Sequence, residues 1–340
     1  MASIQNILLD DNPCLELNAG DFTAILAPSL GNNILRMRNN KEHMEIFRYD
    51  EEHPYLTAKE NPEIYGFPFL YLPNRLEDGI LKVSDATYHL PVNEPEPYYT
   101  CLHGFLHKRS YQVIEETVVD EDTVKVVSQY EYNENDEIFD LFPVAFTIQI
   151  TYTLSATDGL LQQVRMQNLS SDRMLPCGFC SHTCFQAPFA DDTNADDYIM
   201  QVPVEKRWEV TPRILPTGKL LPLSSYDEQY NKGSMKAVHH KINNDLFSGT
   251  SMTLHEKPFH GMVTAHVPSG RAIGYEVSPE FQFWCMWNDG GFNGYYCPEP
   301  LTWMINAPNI TSADEPTGYT EIAPGEEYTC WQRIFTTAIH

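Results

Sequence analysis

The sequence predicts an all-β protein of antiparallel sheets, arranged as a sandwich or a related multi-sheet form. Three observations carry this. Residues 146–154 alternate without a break, with Phe146, Ile148, Ile150, Tyr152 and Leu154 on one side and Thr147, Gln149, Thr151 and Thr153 on the other. That is the period of a half-buried strand. Helical periodicity is scarce along the chain. The 24 prolines and 18 glycines fall often between strand-like runs, where they serve as turn residues.

In chain order, the apolar run 67–72 reads as a strand that ends near Arg75. Residues 123–132, rich in Val and Tyr, predict a strand that pairs nearby. Segments 146–154 and 163–168 flank Asp158-Gly159 and predict a hairpin. Segments 262–266 and 272–277 flank Pro268-Ser269-Gly270 and predict another. Residues 281–287 are apolar or aromatic except Gln282, and 328–337 read as a final strand. A length of 340 residues is a soft prior for about two domains. No repeat, low-complexity tract or linker marks a boundary, so 1–340 is expected to be a single domain.

Charge and composition exclude several classes. The chain carries 22 Lys and Arg against 47 Asp and Glu, a net charge of -25. Binding a phosphate backbone needs many Lys and Arg contacts, so no nucleic-acid partner is expected. No segment approaches the roughly 18 apolar residues of a membrane helix, so no membrane partner is expected. The N-terminal segment MASIQNILLDDNPCLEL has no basic region followed by an apolar run. Eight dispersed cysteines then suggest reduced thiols and a cytoplasmic location.

Five constellations could carry chemistry. Cys177, Cys180, His182 and Cys184 place four metal-ligand types within eight residues. A second cysteine pair is missing, and alternation turns Cys177 away from the other three, so core packing is preferred and no metal is expected. Glu299 lies between Pro298 and Pro300 in an aromatic neighbourhood, where burial would raise its pKa toward that of a general base. His103-Gly104 is followed by His107 and Arg109. Asn74-Arg75 follows an apolar run, and an Arg there can donate a fixed fork of hydrogen bonds into a cleft. Asn244-Asp245 precedes Leu246-Phe247.

The order of these pieces resembles the aldose 1-epimerase, or galactose mutarotase, family. The resemblance rests on Gly66-Phe67-Pro68-Phe69-Leu70 with Asn74-Arg75, then His103-Gly104, His182-Thr183-Cys184-Phe185, Asp245, Pro298-Glu299-Pro300, and Ala323 to Tyr328 before the last strand. These span roughly residues 30 to 335. The resemblance implies the β-supersandwich of galactose mutarotase-like proteins, with few short helices. It implies Glu299 as general base and His182 as general acid, with Arg75, His103 and Asp245 holding a sugar. Asn74 sits beside that arginine as a further binding candidate. Ser181 precedes the histidine here where the family commonly has Asn or Pro, and Cys184 replaces an aromatic.

The implied activity is interconversion of the α and β anomers of a free hexose such as galactose or glucose, without metal or organic cofactor. A carboxylate and an imidazole share a pH window for that chemistry, with ordinary pKa values of about 4.3 and 6.5. Trp284 and Trp287 are candidates to cover the apolar face of a sugar ring. Alternation sends them opposite ways, so one at most serves, and Trp287 is the choice. A phosphosugar substrate is the alternative within the class. It wants a cationic cluster, and Lys108-Arg109 is the only basic doublet near a motif, with Lys206-Arg207 farther off. A non-catalytic carbohydrate-binding protein is the alternative outside it. A monomer or homodimer is expected.

Overall fold

The computed structural model describes residues 1–339. It is all-β and dominated by antiparallel sheet, as the sequence predicts. Five short strands from Ser3–Leu9 to Met44–Glu45 form an N-terminal meander. A nine-stranded sheet runs in the spatial order Gln112–Asp120, Thr123–Tyr132, Phe146–Ser155, Gly159–Asn168, Glu327–Ala338, Arg271–Val277, Gly261–His266, Tyr198–Gln201 and Met235–Lys236. A second large sheet runs Pro216–Leu221, Val204–Val210, Asn243–Gly249, Phe283–Trp287, Tyr295–Leu301, Cys180–Ser181 and Phe69–Leu70, with Phe185–Gln186 also beside Tyr295–Leu301. Among the described residues, the α-helices are short, Pro54–Glu60 and Glu228–Asn231, and no helix is long and apolar enough to cross a membrane.

The predicted hairpins form. Phe146–Ser155 alternates buried and half-buried at every residue and pairs with both Gly159–Asn168 and Thr123–Tyr132. Its buried face includes Ile148, Ile150, Tyr152 and Leu154, each fully covered, and such burial contributes about 1.5–3 kcal/mol per large side chain. Gly261–His266 pairs with Arg271–Val277 as the Pro268-Ser269-Gly270 turn requires. The run 67–72 differs from expectation. Only Phe69–Leu70 is strand, and Arg75 opens a separate short strand, Arg75–Glu77, paired with Thr100–Leu102. Pro73 and a left-handed Asn74 (φ 52°) break the run between them.

The main core lies between the two large sheets. Tyr275 of one meets Trp284 of the other edge-on, with ring centroids 5.8 Å apart. Polar groups cross this core in a closed network. Gln332 Nε2 donates to Ser181 Oγ at 2.8 Å and to Gln162 Oε1 at 2.9 Å, and Thr183 Oγ1 donates to the Tyr275 hydroxyl at 2.9 Å. The opposite face of the second sheet carries Leu70, Cys180, Leu246, Phe283, Cys285 and Leu301 as a smaller apolar cluster.

Candidate active site

Strand pairing explains how His182 and Glu299 meet. Cys180 pairs with Leu301, and Phe185 pairs with Tyr296. Both pairs belong to one register, which sets His182 opposite Glu299 and Cys184 opposite Cys297. The ladder is interrupted there because Pro298 and Pro300 have no N–H to donate. The N–H groups of His182 and Cys184 turn the other way, to the carbonyls of Pro68 (3.1 Å) and Gly66 (3.0 Å). His182 and Glu299 thus form a pair without mutual backbone bonds, the arrangement that brings side chains closest. Ser181 and Thr183 point to the opposite face, where Gln332 and Tyr275 hold them.

The result is a buried pair. His182 Nε2 lies 3.4 Å from Glu299 Oε1, and the two side chains are 7% and 1% exposed. Asn74 Nδ2 donates to Glu299 Oε2 at 3.2 Å. Burial raises the Glu299 pKa, and the His182 charge and the Asn74 bond only partly oppose it. Burial favours neutral His182, but the Glu299 carboxylate and the Cys184 sulfur outweigh it and raise the imidazole to about 9. The Glu299 carboxyl beside it thus holds His182 protonated near neutral pH, while burial pushes the carboxyl itself upward.

Around it lies a cavity of about 390 Å³, within the usual range of small-molecule sites. Its lining includes Glu63, Asn74, Arg75, Glu94, His103, Lys108, His182, Asn244, Trp287 and Glu299. Arg75 donates from Nε and Nη2 to both oxygens of Glu94 at 2.8 and 2.7 Å, and from Nη1 to Asn74 Oδ1 and Asn244 Oδ1 at 3.3 and 3.4 Å. Three non-glycine lining residues have left-handed backbone: Asn74, His103 (φ 62°) and Asn244 (φ 55°). Such strain clusters at functional sites. Gly104 explains the His-Gly pair. It too is left-handed, and a Cβ there would sit 2.1 Å from the Tyr71 carbonyl oxygen.

His103 packs edge-on to His182, ring centroids 5.2 Å apart. Burial and the neighbouring His182 charge hold it well below the ordinary histidine pKa, so it is neutral. Its Nδ1 is buried with no hydrogen-bond partner among the described residues. Trp287 is half-buried in the cavity wall, 5.7 Å from the His182 ring, whereas Trp284 faces the main core.

Six of the seven expected site residues therefore line one cavity: Asn74, Arg75, His103, His182, Trp287 and Glu299. Asp245 does not. A bulge between Asn243 and Asp245 puts Asn244 on the cavity side. Asp245 accepts instead from Arg207 (2.7 Å), Tyr226 (3.1 Å) and Tyr230 (3.3 Å). Sequence reasoning also missed Glu94 and Glu63, because lone acidic residues in loops carry no local signal. Both Lys and Arg side chains of the lining are paired by them: Arg75 with Glu94, and Lys108 with Glu63 at 3.3 Å. Arg109 forks away to Asp136. Cys177 leaves its cysteine neighbours and packs in the main core against Met166.

Comparison with known proteins agrees with this fold. The aldose 1-epimerase family model matches residues 13–334. The chain belongs to the aldose 1-epimerase family. It is 26% identical to a galactose mutarotase-like protein from Clostridium acetobutylicum, with TM-score 0.94 and 99% of each chain covered. A galactose 1-epimerase from Lactobacillus acidophilus NCFM shares the fold at 12% identity, TM-score 0.74, with 100% of each chain covered. The uncharacterized protein YihR of Escherichia coli (strain K12) is 25% identical over 204 residues, 60% of this chain and 59% of that protein.

Proposed function

We propose that the protein is an aldose 1-epimerase that interconverts the anomers of a free, neutral hexose such as galactose or glucose. The observation that carries this reading is the Glu299–His182 pair, buried and facing one cavity. Glu299 takes the proton from the C1 hydroxyl while the His182 imidazolium gives one to the ring oxygen. The hemiacetal opens, the aldehyde turns about C1–C2, and the two groups reverse roles on the other face. Each such group typically contributes about 10² to 10⁴ in rate. No step calls for a cofactor.

Arg75, Asn74 and neutral His103 offer the hydrogen bonds that orient hydroxyls, and Trp287 offers an apolar face to the ring. Asn244 takes the place first expected for Asp245. The pairing of Arg75 and Lys108 favours a neutral substrate over a phosphosugar, since a phosphate would have to displace Glu94 or Glu63. The whole chain acts as one domain in this reading, since cavity residues come from positions 63 to 299. Exchange NMR between anomeric protons tests it. Free galactose or glucose should exchange well above the buffer rate, and hexose 6-phosphates more slowly. A strong preference for the phosphates would overturn the neutral-substrate reading.

A further inference from the structure

Behind the catalytic pair, His182 turns its second ring nitrogen toward two cysteines that take no part in the proposed proton transfers. Cys184 Sγ is 3.5 Å from Cys297 Sγ and 3.8 Å from His182 Nδ1. The ligand atoms of His182, Cys184 and Cys297 all lie within 4.8 Å of one another. Cys184 and Cys297 are fully buried, in a small cluster with Tyr295 flanked by Ile64 and Trp287. His182 is the only one of the three on the cavity wall.

We propose that Cys184, Cys297 and His182 Nδ1 form a binding site for a thiophilic divalent cation of the zinc class, and that its occupation switches the enzyme off. A tetrahedral zinc with Zn–S of about 2.3 Å and Zn–N of about 2.0–2.1 Å has edges of about 3.8 Å between sulfurs and about 3.6 Å between sulfur and nitrogen. The two separations from Cys184, 3.5 Å to Cys297 Sγ and 3.8 Å to His182 Nδ1, lie close to these edges, and all three ligand atoms fall within 4.8 Å of one another. The strand register explains why, since it sets Cys184 opposite Cys297 one step from His182 and Glu299. The Glu63 carbonyl oxygen, 3.3 Å from Cys184 Sγ, offers a fourth ligand.

Binding releases three protons, one from each thiol and one from Nδ1 of the His182 imidazolium, and the two thiolates balance the dication. His182 must then be neutral, with the metal on Nδ1 and its proton on Nε2, aimed at Glu299. That is the familiar carboxylate–histidine–metal chain. It removes the imidazolium that protonates the ring oxygen and ties the Glu299 carboxylate to the histidine. The site itself stands apart from the proposed function; the inhibition rests on it.

Two readouts separate the parts. Co²⁺ titrated into the reduced protein should give thiolate charge-transfer and tetrahedral ligand-field bands that saturate at one equivalent, and Zn²⁺ should bleach them. Cys184→Ser and Cys297→Ser should each lose the bands, while Cys177→Ser and Cys180→Ser keep them. Thermal unfolding of each variant checks its fold. Absence of bands in the wild type, or bands that persist in folded Cys297→Ser, would overturn the site. In anomer exchange, Zn²⁺ should inhibit the wild type and a chelator should restore it. Cys297→Ser should keep the basal rate and need at least about tenfold more Zn²⁺ for the same inhibition. A wild type that binds Co²⁺ stoichiometrically yet turns over normally with Zn²⁺ would overturn the inhibition alone. A protein without any epimerase activity would overturn the inhibition and the proposed function, with the absorption bands still deciding the site.

Discussion

His182 and Glu299 stand opposite one another on strands whose hydrogen-bond ladder is interrupted by Pro298 and Pro300. The two prolines lie on either side of the carboxylate, and the strands rejoin at Cys180–Leu301 and Phe185–Tyr296. The flanking pairs thus hold His182 and Glu299 in register across the break, 3.4 Å apart.

This pairing sets the pH dependence. His182 is raised to about 9, so the imidazolium is lost as pH rises through that value. The kcat profile should fall on an alkaline limb near pH 9, and should fall on the acid side as the raised Glu299 is protonated. The histidine also makes stability pH-dependent. Its folded pKa lies above the unfolded value of about 6.5, so its contribution is complete below that pH and is lost as pH rises toward 9. A kcat profile flat to pH 10 would contradict this assignment.

Asn74 donates to the carboxylate. Asn74→Ala should move the acid limb upward, because the ionised form loses a bond that favours it. It should also lower kcat by about 10- to 100-fold, the equivalent of a charge-assisted hydrogen bond of roughly 1.5–3 kcal/mol. Rate measurements across pH check both parts.

Arg75 and Glu94 form a bidentate pair about 90% buried on each side. Glu94→Ala leaves the guanidinium without its partner and should cost about 3–5 kcal/mol in denaturant unfolding. Replacing both residues by apolar side chains should cost less than the single change. Equal losses in single and double variants would contradict a coupled pair.

Asp245 is braced by Arg207, Tyr226 and Tyr230 on the far side of its strand. Asp245→Asn should lower stability by about 1–3 kcal/mol while leaving KM within about twofold. Trp287→Ala should do the reverse, raising KM with little change in unfolding. Calorimetry and steady-state kinetics distinguish the two.

Much of the fold was legible because period-two alternation is a local signal. Phe146–Ser155 and its partners follow from it directly. The N-terminal meander was not marked, because its strands mix buried and exposed residues without clean alternation. The site was legible through motif order, and its failures are physical. Alternation separated Trp287 from Trp284, whereas the motif order put Asp245 in the site; in the strand Asp245 pairs with Met286 and faces away, and Asn244 in the bulge lines the cavity. The cysteine cluster was read as local, whereas the partner of Cys184 is Cys297, brought from 113 positions away by strand pairing.

The central claim is tested most directly by polarimetry on freshly dissolved α-D-glucose and α-D-galactose, comparing wild type with Glu299→Gln and His182→Ala. The wild type should speed the approach to rotational equilibrium for at least one sugar. Each folded variant should lose about 10²-fold or more of that rate. A wild type that leaves both sugars at the buffer rate, or variants that match it, would contradict the assignment of the Glu299–His182 pair.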